Sequence, residues 1–312
     1  MKYEHFTFYD PQDFEIYVYK WMPEEGTVPK AAIQIAHGMA ETAARYERLA
    51  DYLTSHGYIV YANDHRGHGR TAKSLDNVGY LGKDGFNWAV KDMHQLNGII
   101  RKENTELPVI LIGHSMGSFM SQQYITLYGE SLDALILSGT NGAFGFDVSA
   151  GILLARLEIA LKGDKHRSKL LDKMSFGKFN NPFKPARTQF DWLSRDCQEV
   201  DKYIDNPYCG SVFSAGYFYD LARALKKLHL PDAMSKIPKE LPIYIFSGDM
   251  DPVGNYGKGP KRLYNMYKEL NIKNVTLKLY KNGRHEMLNE TNRDEVMKDI
   301  LDWLNNNVSY NK

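Results

Sequence analysis

Residues 109–117 read Val-Ile-Leu-Ile-Gly-His-Ser-Met-Gly, a short apolar run followed at once by a serine between two glycines. The apolar run predicts a buried strand, and the spacing that follows predicts a helix over Met116–Tyr128. Glycine permits a sharp backbone turn where a Cβ would clash. Ser115 is therefore expected at the tip of a strand–turn–helix unit, the setting of a nucleophilic serine. Its expected site-shaping neighbours are Gly113, His114 and Gly117.

Short apolar runs of the same kind recur on both sides of this unit. They predict strands over Phe6–Phe8, Phe14–Tyr19, Ala31–Ala36, Tyr58–Ala62, Val109–Ile112, Ala134–Leu137, Ile243–Phe246 and Val275–Leu279. Segments with helical spacing lie between them, at Tyr46–His56, Phe86–Arg101, Met116–Tyr128, Lys261–Leu270 and Asp294–Asn305. This alternation predicts an α/β fold with a mostly parallel sheet and helices on both faces.

One long stretch interrupts the alternation, because residues 141–238 contain no convincing buried strand. A structureless loop of that length is not expected inside a compact domain. Gly151–Lys162 has helical spacing, and Ser211–Leu228 is expected to contain another helix. We interpret 141–238 as a helical cap inserted into an α/β core made of residues 1–140 and 239–312.

Composition narrows the class of protein. The 312 residues carry 39 basic and 38 acidic side chains, so no general attraction to nucleic acid is expected. The two cysteines, Cys197 and Cys209, cannot build a disulfide framework and are expected to be free thiols. Neither a secretory signal nor a membrane-spanning run is visible, which favours a cytoplasmic protein. The oligomeric state is left open.

A nucleophilic serine needs a base to take its proton, and the base needs an acid to orient it. The expected chain order is serine, acid, histidine. His285 follows the last predicted strand and is the candidate base. Asp251 and Asp249 both follow the strand Ile243–Phe246; Asp251 is the preferred acid, and Asp249 is the alternative or a turn residue.

An oxyanion requires preorganised N–H donors. The backbone N–H of Met116, directly after the serine, is one candidate. The N–H of Met39 is the other, because its loop follows the buried strand Ala31–Ala36 and Gly38 would permit a close approach. Further expected site-shaping residues of this loop are His37 and Glu41.

Together these motifs resemble the monoglyceride lipase and lysophospholipase group of α/β-hydrolases, which is close to the serine aminopeptidases. The matching stretches are His37-Gly38, Glu41, Arg45-Tyr46-Glu47, residues 63–69 (Asn-Asp-His-Arg-Gly-His-Gly), the serine turn, Gly248–Val253 and Gly283-Arg284-His285. The resemblance implies hydrolysis of small acyl or lipid-like esters by Ser115, Asp251 and His285. It also implies a cap that shapes the acyl pocket, with no metal and no cofactor.

Other residues support weaker hypotheses. His65 and His68 lack a carboxylate or cysteine cluster of metal-binding spacing and are expected to organise the loop beneath the site. Two apolar groups in the cap either pack on the core or line an acyl site, and the first could touch a membrane surface. The first group is Ile152, Leu153, Leu154, Leu157, Ile159 and Leu161, and the second is Phe213, Tyr217, Phe218 and Tyr219. Cys197 is not expected to be a nucleophile.

Two alternatives to an esterase remain open from the sequence. A serine aminopeptidase would need acidic cap residues that bind a substrate ammonium, and Glu158, Asp164 and Glu199 are available. A non-catalytic binding protein on the same fold is the second alternative, although such a protein would not need serine, acid and histidine together.

Overall fold

A computed structural model describes residues 1–142 and 147–310. Its strands are β1 (Lys2–Tyr9), β2 (Glu15–Met22), β3 (Ala31–Ala36), β4 (Tyr58–Asn63), β5 (Val109–His114), β6 (Ala134–Ser138), β7 (Ile243–Gly248) and β8 (Val275–Tyr280). They form one sheet in the order β1-β2-β4-β3-β5-β6-β7-β8. β2 is antiparallel to both of its neighbours, and every other pair is parallel. All eight predicted strands are present, and β8 lies at an edge.

Helices cover both faces of this sheet. They are α1 (Glu47–Ser55), α2 (Gly85–Glu103), α3 (Met116–Tyr128), α4 (Asp147–Lys162), α5 (Lys169–Phe176), α6 (Cys197–Asp205), α7 (Ala215–Leu228), α8 (Pro231–Met234), α9 (Lys258–Glu269) and α10 (Arg293–Asn307). Leu111 of β5 joins the core on the side of α2 and α3, whereas Ile110 and Ile112 join the core on the side of α1 and α10. Both faces of β5 are therefore buried, which explains its unbroken apolar sequence. The predicted α/β class is confirmed.

Five helices, α4 to α8, lie between β6 and β7, and the described part of this stretch adds no strand to the sheet. Neither α5 nor α6 was predicted from the sequence. Both begin at side-chain caps: Ser168 Oγ accepts the N–H of Leu171 at 3.1 Å, and Asp196 Oδ1 accepts the N–H of Gln198 at 3.0 Å. The cap boundaries at 141 and 238 stay a prediction.

Among the described helices, none has the combination of length and apolar character needed to cross a bilayer.

Candidate active site

Ser115 lies in the turn between β5 and α3 with φ 52° and ψ −118°, a backbone conformation that non-glycine residues rarely adopt. Both flanking glycines are sterically required. A Cβ on Gly117 would lie 2.0 Å from the carbonyl oxygen of Ala36, and a Cβ on Gly113 would lie 2.6 Å from the carbonyl oxygen of Gly117. Strain held in place by such tight surroundings is typical of functional sites.

His285 follows β8, and its imidazole contacts the carboxylate of Asp251, which follows the neighbouring strand β7. Its Nδ1 lies 2.9 Å from Oδ1 of Asp251, and both side chains are buried. Asp251 also accepts the N–H of Val253 at 2.8 Å and the hydroxyl of Ser247 at 3.1 Å. Burial alone would lower the pKa of His285, but the charge and hydrogen bond of Asp251 outweigh burial and raise it above its usual value.

Asp249, the alternative acid, bonds a backbone group and not His285. Oδ1 of Asp249 accepts the N–H of Asn282 at 2.7 Å, and the side chain is partly exposed. A Cβ on Gly248 would lie 2.0 Å from the carbonyl oxygen of Gly283, so the loops after β7 and β8 are in close contact. The structure thus brings Asp251, and not Asp249, to His285.

Ser115 and His285 line one cavity of about 350 Å³. The N–H of Ser115 donates to the carbonyl of Ser138 at 2.9 Å, which joins the ends of β5 and β6. Gly139 follows directly, and its Cα is so close to the imidazole that a Cβ would lie 2.8 Å from His285 Cε1. Such a cavity, lined by both aromatic side chains and convergent polar groups, is typical of a site for a small molecule.

The two predicted oxyanion donors come from the expected places. Met116 is the first residue of α3, and N–H groups in the first turn of a helix have no partner within the helix. Met39 lies in the loop after β3 and lines the cavity. Gly38 allows this approach, because a Cβ there would lie 3.2 Å from Cβ of Ser115 and 2.8 Å from Oε1 of Glu41. That these N–H groups bind an oxyanion stays a prediction.

Beneath the cavity, one arginine joins two loops. Arg45 bonds Glu41 at 2.6 Å and Glu286 at 2.7 and 2.6 Å. The other oxygen of Glu41 accepts the N–H of Gly38 at 2.5 Å. Because Glu286 is next to His285, this buried network connects the loop of Met39 to the loop of His285.

The buried histidines of this region hold backbone groups. His37 Nε2 accepts the N–H of His65 at 2.9 Å, and His68 Nε2 accepts the N–H of Ala40 at 3.3 Å. Burial lowers the pKa of His37 to about 4, so its ring is neutral near pH 7. His114 lies against the ring of His285, with centroids 4.7 Å apart, and burial likewise lowers its pKa to about 4.

The three acidic residues of segment 141–238 that were considered for ammonium binding do not converge. Glu158 pairs with Ser168 and Lys162, Asp164 accepts the hydroxyl of Tyr80 at 2.8 Å, and Glu199 pairs with Arg48 at 2.7 Å. None of the three lines the cavity. Another carboxylate of the same segment, that of Asp172 in α5, does line it, and neither this residue nor its helix was predicted from the sequence.

The apolar cap residues separate by exposure. Leu153, Leu157 and Leu161 are 63%, 52% and 80% exposed, whereas Leu154 and Ile159 pack against the core. The aromatic group at 213–219 is buried apart from Tyr219, which is partly exposed. Neither group lines the cavity, whose aromatic residues are instead Phe176, Phe190, Trp192 and Tyr203. Cys197 is exposed and Cys209 is buried, both as free thiols.

Comparison of the chain with known proteins shows the family to which it belongs. The family model described as serine aminopeptidase, S33, matches residues 27–292. A monoacylglycerol lipase of Mycolicibacterium smegmatis is 29% identical over 91% of this chain and 90% of its own length. The monoglyceride lipase of Rattus norvegicus is 28% identical over 93% of this chain and 85% of its own length.

Solved structures agree. A thermostable carboxyl esterase from Bacillus coagulans, solved with glycerol, has a TM-score of 0.91 and 27% identity, over 99% of this chain and 100% of that one. A monoglyceride lipase variant from Saccharomyces cerevisiae has a TM-score of 0.75 at 19% identity, over 99% and 95% of the two chains, and supports the fold alone. The chain therefore belongs to the serine aminopeptidase S33 family of α/β-hydrolases, and is a hydrolase of its monoglyceride lipase-like group.

Proposed function

We propose that the protein hydrolyses carboxylic esters through an acyl-enzyme on Ser115. The observation that carries the proposal is the 2.9 Å contact between His285 Nδ1 and Asp251 Oδ1, in the same cavity as Ser115. A carboxylate only accepts hydrogen bonds, so the Nδ1 proton points to Asp251 and the Nε2 lone pair remains available as a base.

The proposed reaction has two halves. Ser115 Oγ attacks the ester carbonyl carbon while His285 Nε2 takes the hydroxyl proton, and the N–H groups of Met39 and Met116 hold the oxyanion. The carbon–oxygen bond to the alcohol then breaks, and the alcohol leaves with the proton from His285. Water repeats the sequence on the acyl-enzyme, so that the acid departs and Ser115 is restored. Asp251 keeps the imidazole in the required tautomer throughout.

A lipid-like ester is the proposed substrate class. The relatives at 28–29% identity are monoacylglycerol lipases, and the aromatic side chains that line the cavity suit an acyl chain. We propose residues 141–238 as the cap that shapes this pocket, because Phe176, Phe190 and Trp192 reach the cavity from that segment.

Peptide cleavage at an N-terminus is the second candidate, named by the family description. The pairing of Glu158, Asp164 and Glu199 with other residues does not favour it. Comparing turnover of an aminoacyl arylamide with that of a short-chain ester separates the two activities. Stoichiometric labelling by a fluorophosphonate without turnover would instead indicate a non-catalytic binding protein.

Peripheral contact with a membrane is part of the proposal. Leu153, Leu157 and Leu161 are spaced four residues apart and so share one exposed face of α4. The exposed side chains of Lys162, which pairs with Glu158, and of Lys165 follow directly. An apolar stripe beside basic residues suits an anionic lipid surface. The cytoplasmic location stays a prediction.

The decisive experiment replaces the nucleophile. Ser115→Ala is expected to abolish both turnover of p-nitrophenyl esters and covalent labelling by a fluorophosphonate, because no oxygen remains to be acylated. Ser211→Ala is the matched control, since Ser211 lines the same cavity. It is expected to retain both. Full activity of Ser115→Ala would overturn the proposed function.

A further inference from the structure

The cavity beside Ser115 has an acidic lining. Carboxylates of Glu41, Asp172 and Glu286 line it, and lysine and arginine are absent from its lining within the described chain. Two of these carboxylates are already paired, because Arg45 bonds Glu41 at 2.6 Å and Glu286 at 2.7 Å. One arginine cannot neutralise two carboxylates, so this group keeps a net negative charge, and Asp172 adds a carboxylate that has no such partner.

Asp172 lies in the first turn of α5 and is partly buried. Across residues 1–142 and 147–310, its carboxylate has no hydrogen-bond or ion-pair partner. Burial raises the pKa of this carboxyl, and no neighbouring cation lowers it. Removing an ionised group from water without a partner costs free energy. A positively charged ligand would supply the missing partner.

Aromatic rings continue from Asp172 towards the reacting atoms. Phe176 is four residues further along α5 and therefore on the same face. Its ring stacks on Trp192 with centroids 6.2 Å apart, and Trp192 lies 5.1 Å from the ring of His285. Phe190 lines the same cavity. The faces of such rings attract cations, and Phe176 is the ring that shares a helix face with Asp172.

We propose that Asp172, with Phe176 and Phe190, forms a subsite for a positively charged group carried by the ester, an ammonium or a quaternary ammonium, while Trp192 lies nearer to the ester group. The inference rests on the proposed ester hydrolysis. The path from His285 through the two stacked rings to the next turn of α5 is on the order of 15 Å. Because Asp172 comes after both rings in this series of contacts, we place the charge away from the ester group, and the preferred chain length of the substrate measures how far.

This placement separates the subsite from the one that an aminopeptidase needs. The α-ammonium of a peptide is one carbon from the scissile carbonyl and would lie beside Ser115. In the series of contacts described above, Trp192 is next to His285, and Asp172 is one helical turn from Phe176. An ester with a remote cationic group fits the arrangement, and an N-terminal peptide does not.

The test uses p-nitrophenyl esters of acids with four to twelve carbons in the chain. One series ends in a trimethylammonium group, and the other ends in the neutral, nearly isosteric tert-butyl group. A parallel pair of alkyl ester series carries these groups at the end of the alcohol chain, which replaces the p-nitrophenyl group. The wild-type protein is expected to prefer the cationic ester by kcat/KM at one chain length. Asp172→Asn should reduce that preference by about tenfold, which corresponds to about 1.4 kcal/mol.

Asp205→Asn is the matched control, because it removes an exposed carboxylate at the end of α6, outside the cavity. It is expected to keep the wild-type preference. Neutral esters should be hydrolysed equally by the wild type and Asp205→Asn, and the preference of each protein is taken as its own ratio of kcat/KM for the cationic ester to that for the neutral ester of the same length. If neutral esters are hydrolysed but the preference is the same in wild type and Asp172→Asn, the subsite is refuted while the proposed function stands.

Failure of the proposed function would appear differently, as hydrolysis of neither ester by the wild-type protein. Calorimetric titration with octyltrimethylammonium then decides the subsite alone. Binding that is about tenfold weaker in Asp172→Asn supports the proposal. Equal affinity of the two proteins, or no binding to either, overturns it.

Discussion

The two terminal nitrogens of Arg45 donate hydrogen bonds to the two carboxylate oxygens of Glu286, at 2.7 and 2.6 Å. Bidentate pairs of this kind fix orientation as well as charge. Glu286 directly follows His285 in the chain, and Arg45 lies in the segment that leads from Met39 into α1. The pair therefore positions the candidate base relative to the candidate oxyanion loop.

The pair makes stability depend on pH. Burial alone would raise the pKa of Glu286, but the charge and hydrogen bonds of Arg45 outweigh it and lower the pKa to about 2. A depressed folded-state pKa contributes stability that is fully present above about pH 4.5 and is lost as the pH falls towards 2. In that window, denaturant titration should show a smaller pH dependence for Glu286→Gln, by up to about 1.4 kcal/mol per pH unit. Glu130→Gln, at an exposed position, should keep the wild-type slope; equal slopes in all three proteins would contradict the prediction.

Substitution of the two aspartates after β7, Asp249 and Asp251, should have very different effects on kcat. Asp251→Asn is expected to lower kcat by about 10⁴, as in serine proteases, because an amide can stabilise the wrong imidazole tautomer. Asp249→Asn keeps an oxygen that can accept the N–H of Asn282, so ester turnover should fall less than about threefold. Steady-state kinetics on one p-nitrophenyl ester compares the two variants, and similar losses in both would show that Asp251 has no special role.

The contact between Asp251 and His285 is also expected to determine the pH below which kcat/KM falls. His285 must be neutral to accept a proton, and Asp251 raises its pKa above the usual value of 6.5. We therefore expect kcat/KM to fall as the pH drops through a value above 6.5, with the residual activity of Asp251→Asn falling only at lower pH. An acid limb at the same pH in both proteins would count against the assignment.

Glycine is required at only some positions, and alanine substitution should show which. Gly117→Ala places a Cβ 2.0 Å from a backbone oxygen, so the turn must distort and both stability and esterase activity should be lost. Gly98 is exposed in the middle of α2, and the space that a Cβ would occupy there has no other atom within 4 Å. Gly98→Ala should therefore stabilise the protein by about 1 kcal/mol. Thermal denaturation measures both variants, and a neutral Gly117→Ala would mean that the turn can relax without cost.

The exposed leucines of α4 should contribute to binding of lipid surfaces and not to the rate of ester hydrolysis. Replacing Leu153, Leu157 and Leu161 together by serine should weaken co-sedimentation with phosphatidylglycerol vesicles by more than about tenfold, because apolar area available for insertion is removed. Hydrolysis of a water-soluble ester should not change, since the stripe does not line the cavity. Val28→Ser is the control: Val28 is exposed and precedes β3, at the end of the sheet away from Ser115. Unchanged vesicle binding by the triple variant would exclude this surface.

The α/β core was predictable because each of its elements has a local signal. β5 is apolar throughout since both its faces are covered, and the two glycines around Ser115 reflect clashes within a few residues. The bond between Arg45 and Glu286 joins positions 241 residues apart, and nothing in either local sequence indicates it. Asp251 could be preferred over Asp249 by spacing, but only three-dimensional contact distinguishes their partners.

Residues 141–238 were harder to predict because two of their helices, α5 and α6, are short, with eight and nine residues. α5 has only eight residues, and its strongest sign was Ser168 as a helix cap before the apolar pair Leu170-Leu171. Because α5 was not predicted, Asp172 was not considered either. Its proposed role depends on two features that a sequence does not show, its position in the cavity lining and the absence of a partner for its carboxylate within the described chain. Glu158, Asp164 and Glu199 were considered instead, because charge is visible in a sequence and pairing is not.

The turn at Ser115 places the needs of folding and of chemistry in conflict at one position. Its backbone angles are ones that glycine adopts freely and that any side chain makes costly. A chain optimised for thermostability alone would carry glycine there and would be left without a hydroxyl. The rest of the molecule, from the Ala36 carbonyl to the packing of α3, must therefore supply enough free energy to keep one unfavourable residue where a reaction can use it.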